Sequence, residues 1–333
     1  MIPAILISLL PVFIFLVALI VLDSYKLVKT QSVVYAILYG CIAAGPSYFF
    51  NTSVLNLGID DQILRRYAAP IIEEILKALY LVFLIKRKKI GFMVDAAIYG
   101  FAVGAGFAFI ENIYYLTAAT EASLFLWVIR GFGTAVMHGG TTAIVGILAK
   151  SSADARGTES VSMFSKGLLI AIVIHSYFNH FFLHPAFSPL TIIIGLPLTL
   201  MYVFHKSEHV TREWLGVGFD SDVDLLQTLT SGNLPLTKIG TYLKTLQSRF
   251  RGEVIADMIC YLQIYLELSI RAKGVLLMRE AGFTPPLEAD TVEKFAELKF
   301  LERSIGQTGK LALRPFLHTS GRDLWQLNML QQG

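Results

Sequence analysis

Seven stretches of the chain are mostly apolar over about the 20 residues a bilayer-crossing helix needs: 3–22, 33–50, 67–85, 94–117, 123–149, 167–184 and 188–205. Only a short turn around Pro185 and Pro189 separates the last two. Beyond residue 205 the pattern changes. Ser221 and Asp222 read as N-cap residues before Val223-Asp224-Leu225-Leu226. Residues 253–279 repeat Val254, Met258, Tyr261, Tyr265 and Leu268 at helical spacing, and a further helix is expected over roughly 289–305, after Thr284-Pro285-Pro286. The expected fold is all-α: a polytopic transmembrane helix bundle with about seven spans, 1–205, followed by a helical cytoplasmic domain, 206–333.

Composition sharpens that division. The chain has 333 residues, a mean hydropathy of +0.59 and 16% charged residues, against about 25% in soluble proteins. Residues 1–205 hold 13 Lys/Arg and 10 Asp/Glu, whereas 206–333 hold 15 of each. A net charge of +3 gives no reason to expect nucleic acid. Basic residues gather in alternate loops: Lys26 and Lys29, then Lys86-Arg87-Lys88-Lys89, then Lys150, Arg156 and Lys166. The opposite loops carry only Arg65 and Arg66. The positive-inside rule therefore puts the N-terminus outside and the C-terminal part in the cytoplasm. The apolar start after Met1-Ile2-Pro3 lacks a basic flank and reads as a retained first helix. Cys41 and Cys260 fall in a span and in the polar tail, so no disulfide is expected. Asn51-Thr52-Ser53, in an expected outer loop, would be a glycan acceptor only in a eukaryote.

Ionisable residues inside the spans are few and concentrated. Glu73, Glu74 and Lys77 share the third span, Glu111 and Asn112 close the fourth, Arg130 and His138 lie in the fifth, and His175, Asn179 and His180 in the sixth. A charge at a helix centre costs roughly 2.5–3.5 kcal/mol on insertion scales, so such residues mark function unless they pair. Adjacent glutamates in an apolar helix suit one member to act as a general base. Lys77, one turn on from both, could keep one ionised or simply lock helices together. His175 and Asn179 share a helix face; imidazole carries protons or binds metal, and an amide can donate to an oxyanion. His180 points about 100° away and reads as an interhelical hydrogen bonder. Arg130 reads as an interfacial anchor. Gly100, Gly104 and Ala108 form a small-residue stripe that continues to Glu111, which suits close helix packing with Glu111 turned inward. Glu111 and Asn112 would then support a histidine or carboxylate.

The ordered series Glu73-Glu74-x-x-Lys77, Glu111-Asn112, His138 and His175-x-x-x-Asn179 resembles the PrsW intramembrane proteases, which group with the type II CAAX prenyl proteases; it covers roughly residues 65–184. The resemblance implies a double-glutamate motif at Glu73 and Glu74, the two family histidines at His138 and His175, and the family asparagine at Asn179. It further implies site-1 cleavage of a membrane-anchored protein, such as an anti-sigma factor, in a bacterial inner membrane. The prenyl-protease pattern has Arg where this chain has Lys77, and Phe where it has Thr134; both departures favour the PrsW branch.

Two chemistries fit these residues. Glu73 or Glu74 could activate water while His138, His175 and Asn179 stabilise the oxyanion, or His138, His175 and Glu74 could hold a zinc ion. No His-Glu-x-x-His motif decides between them. From other classes, a proton-coupled transporter would use the same residues as a relay, although no internal repeat supports it. A non-catalytic adaptor would use the bundle to present its tail to a partner. The expected partners are a membrane-anchored substrate, the lipid bilayer and a cytoplasmic regulator acting through residues 206–333.

Overall fold

A computed structural model describes residues 13–23, 25–118, 124–156, 160–180, 187–283, 285, 288–317 and 321–332. Among them the secondary structure is helical, with no strands. The chain divides into two compact units, Met1–Glu208 and His209–Gly333.

The first unit contains α1 (13–21), α2 (Thr30–Asn56), α3 (Asp61–Ile63), α4 (Ala69–Lys86), α5 (Met93–Ala118), α6 (Leu124–Arg156), α7 (Ser165–His180) and the start of α8 (Phe187–Thr230). Helix α5 is the centre. An added Cβ at Gly40 of α2 would stand 2.0 Å from the Val103 carbonyl oxygen, and one at Gly104 would stand 2.1 Å from that of His138 on α6. Glycine at these points lets three helix backbones touch, as membrane helices do where small residues line a contact. The Gly100–Gly104 stripe is thus the seam between α5 and α6. The outer surface is apolar, with Val34, Leu38, Ile42 and Phe49 of α2 exposed, as lipid contact requires.

Five helices among the described residues are long and apolar enough to cross a membrane, rather than seven: Thr30–Asn56, Met93–Tyr115, Gly131–Ala155, Val161–His180 and Pro189–Thr230. The stretch at 67–85 forms α4, but its Glu73, Glu74, Lys77 and Lys86 break the run of apolar residues. Residues 3–12 of the first stretch, Pro185, Pro286 and the Arg130 side chain lie outside the described residues. Asn51-Thr52-Ser53 falls in the last turns of α2 rather than in a loop.

Ahead of α4 the chain makes a π turn, Leu64–Ala68. Pro70 explains it, since the ring has no N–H and would press on the carbonyl four residues earlier, that of Arg66. The Arg66 oxygen instead accepts from Ser176 Oγ at 2.6 Å, and the Arg65 oxygen from Asn179 Nδ2 at 2.9 Å. One proline thereby ties the start of α4 to α7.

The second unit holds the end of α8 with α9 (Lys238–Leu246), α10 (Gly252–Glu280), α11 (Thr291–Leu313) and α12 (Gly321–Gln332). Met258, Leu262, Leu266, Leu268, Ala272 and Leu276 of α10 are buried in its core. Ser221 and Asp222 do not cap a helix, because α8 runs through them. Asp222 is buried instead, its Oδ2 2.5 Å from Lys273 Nζ and 2.6 Å from Ser269 Oγ. A buried ion pair satisfied in this way replaces the capping role with a tertiary one.

Candidate active site

Four helices bring the intramembrane polar residues together. In α4, Glu73 and Glu74 are neighbours about 100° apart around the axis, so they meet different surroundings. Glu74 is fully buried, and its Oε1 lies 2.6 Å from Lys77 Nζ, 2.9 Å from His175 Nδ1 and 3.3 Å from Thr141 Oγ1. Glu73 lines a cavity of about 690 Å³ together with Glu111, His175 and Asn179. Its Oε2 stands 3.8 Å from His175 Nε2, and its Oε1 accepts from Asn51 Nδ2 at 3.1 Å.

The hydrogen bonds fix the imidazoles. Lys77 Nζ lies 2.8 Å from His138 Nδ1. An ammonium only donates, so that nitrogen accepts and the ring proton sits on Nε2, 2.6 Å from Glu111 Oε2. His175 donates from Nδ1 to Glu74, which leaves its Nε2 lone pair facing Glu73. The two rings are nearly perpendicular, 4.8 Å between centroids, and Phe107 packs against His138.

One ligand atom each from Glu73, His138 and His175 lies within 4.8 Å of the others. Two imidazoles and a carboxylate are a donor set that zinc takes in catalytic sites. Glu74 on His175 Nδ1 is the kind of contact that fixes a ligating imidazole. Glu73 and His175 offer a carboxylate oxygen and a free lone pair that fit a divalent ion. His138 would complete the set by freeing one of its ring nitrogens, Nδ1 from Lys77 or Nε2 from Glu111. The carboxylate that stands with the histidines is Glu73, where the sequence suggested Glu74. Glu74 is turned away, toward Lys77 and the far side of His175.

A family model for the PrsW intramembrane metalloproteases matches residues 29–205, more than half of the chain. The chain belongs to the PrsW family. It is an integral membrane peptide hydrolase that acts on membrane-anchored substrates within the bilayer. No curated protein and no solved structure matches the chain.

Of the residues singled out in sequence, this PrsW protease gathers Glu73, Glu74, Lys77, Glu111, His138 and His175 into one connected cluster. Asn179 also lines the cavity, but its Nδ2 is engaged by the Arg65 carbonyl. Asn112 donates to the Gly131 carbonyl of α6. His180 meets the Ser176 carbonyl and the Tyr67 hydroxyl. Two residues escaped the sequence reading. Thr141, one turn beyond His138, reaches Glu74, and Asn51, which the sequence marked only as a glycan acceptor, reaches Glu73.

Proposed function

We propose that this protease cuts a single-span membrane protein in the outer half of the bilayer, using Glu73, His138 and His175 to hold a zinc ion. The observation that carries the reading is the convergence of those three side chains beside a cavity that Glu73 and His175 line, with both histidines on helices of membrane-crossing length. When bound, such an ion would acidify a water molecule and stabilise negative charge on the attacked carbonyl oxygen. Glu74 holds His175 in the right tautomer, and Lys77 offsets the charge of Glu74. Glu111, the other carboxylate lining the cavity near the histidines, takes the water's proton and returns it to the amine as the C–N bond breaks. Asn179 keeps the π turn against α7, so that α4 presents Glu73 to the cavity.

Topology supports the depth of the cut. Cavity residues come from the end of α2, the start of α4, the end of α5, the first half of α6 and the end of α7. These all lie at the end of the bundle opposite the loops with Lys86–Lys89 and Lys166. With basic loops inside, the cavity opens toward the outer face and residues 206–333 are cytoplasmic. The first apolar stretch and α4 then complete a bundle of about seven spans. A site-1 cut in an anti-sigma factor of a bacterial inner membrane, governed by a cytoplasmic partner of the C-terminal part, fits that arrangement.

The test is cleavage of a reconstituted single-span substrate by wild type, Glu73→Gln, His138→Ala and His175→Ala, with metal analysis of the active protein. The expected result is one equivalent of zinc, loss of activity on chelation, and loss of both bound zinc and cleavage in Glu73→Gln. Full activity in a metal-free, chelator-resistant protein would leave Glu73 as a base acting alone. Undiminished cleavage by all three variants would refute the site.

A further inference from the structure

Asn51 has one half of its amide accounted for and the other half not. Nδ2 donates to Glu73 Oε1 at 3.1 Å and lies 3.4 Å from Ser47 Oγ. Oδ1 is buried without a hydrogen-bond partner. The amide is oriented by an ionised Glu73, the form that holds a metal ion, since reversing it would set its oxygen against the carboxylate oxygen. A buried carbonyl left unpaired costs free energy that a partner arriving with N–H recovers.

Asn51 also borders the active-site cavity, and a turn of its side chain would bring the enclosed Oδ1 to the cavity wall. Asn51 and Thr52 line the active-site cavity with Glu73, Glu111 and His175. Ala44, Tyr48, Asn51 and Leu55 recur at helical spacing along this wall, so one face of α2 runs the length of the cavity. Gly45 and Ser47 keep the wall shallow above Asn51, and a Cβ at Gly45 would meet nothing within 4 Å. A peptide entering as an extended segment carries one N–H donor per residue, and its backbone must find partners where water is excluded.

We propose that Asn51 is a substrate-binding residue of this active site, steadying Glu73 through Nδ2 and accepting a backbone N–H of the bound peptide at Oδ1. The proposal rests on the reading of Glu73 as a member of the catalytic cluster. It makes α2, which contributes none of the family motif residues, the helix that sets the register of the substrate against the cluster.

The test uses the full-length protein in proteoliposomes and a single-span peptide that the wild type cleaves, with each backbone N–H near the cut replaced in turn by an ester oxygen. In the wild type one ester position is expected to raise KM about fivefold to tenfold, the effect of one lost hydrogen bond. Asn51→Ala should raise KM by a similar factor for the all-amide peptide and lose its sensitivity to that ester. It should also lower kcat, because Glu73 is no longer steadied. Asn51→Asp keeps an acceptor but sets a carboxylate against Glu73, so kcat should fall while ester sensitivity persists. Asn51→Ser serves if the alanine variant does not fold. The same ester profile in wild type and in Asn51→Ala or Asn51→Ser would overturn the proposal. Wild-type cleavage by Glu73→Gln would instead overturn the catalytic reading beneath it, whatever the ester profile of the Asn51 variants.

Discussion

Glu74 Oε1 accepts from His175 Nδ1 at 2.9 Å, and this contact points the other imidazole nitrogen at Glu73, the residue just before Glu74 in sequence. The adjacent glutamates thus have separate tasks, one behind the histidine and one in front of it. Glu74→Ala should lower metal affinity or turnover by about 10–100-fold, the usual cost of removing a group that orients a ligating histidine. Zinc titration beside a cleavage assay checks it, and unchanged values in both would remove Glu74 from the site.

Lys77 is fully buried between Glu74 and His138. Lys77→Met leaves the Glu74 carboxylate without its counter-charge and should destabilise the protein by about 3–5 kcal/mol. The double variant Lys77→Met/Glu74→Leu should regain most of that stability while remaining inactive. Thermal unfolding in detergent, read beside cleavage, separates the two effects.

Gly104 is where α5 meets the His138 turn of α6 backbone to backbone. Gly104→Ala should push the helices apart, cost about 1–3 kcal/mol or more, and displace His138 from Glu111 and Lys77. Gly195→Ala is the control, since its Cβ meets nothing within 4 Å; it should be neutral or slightly stabilising, as alanine is in a helix.

Asn179 donates to the Arg65 carbonyl rather than standing free in the cavity. Asn179→Ala should lower cleavage by about tenfold, the value of one hydrogen bond near its upper range. That loss is smaller than the effect expected for Glu73→Gln. A loss as deep as that of Glu73→Gln would return Asn179 to a direct part in the chemistry.

In the second unit, the hydrogen bond from Arg271 holds the Asp290 carboxyl below the usual carboxylate range. A depressed folded-state pKa stabilises above the unfolded value of about 3.9, and the effect is lost as pH falls through the folded value. Amide exchange at the start of α11, corrected for intrinsic rates, should be slower in wild type than in Asp290→Asn at pH 6. The difference should shrink toward pH 3. A difference that does not depend on pH would exclude this linkage.

The sequence by itself determined much of this protein. Long apolar runs can satisfy their backbone in lipid only as helices, so the all-helical bundle was legible without coordinates. The i, i+3 and i, i+4 spacings put Lys77 within reach of either glutamate without choosing between them, and the glycine stripe foretold a close helix seam. Periodicity along one helix carries such information because neighbours one turn apart share a face whatever surrounds them. It does not say how a helix is rotated within the bundle. Only the tertiary structure decided that Glu73 faces the cavity and Glu74 faces Lys77, that Asn179 is tied to the π turn, and that Asn51 joins the site from α2. Those outcomes depend on contacts between segments 22 to 114 residues apart, fixed by which backbones pack closely enough to touch.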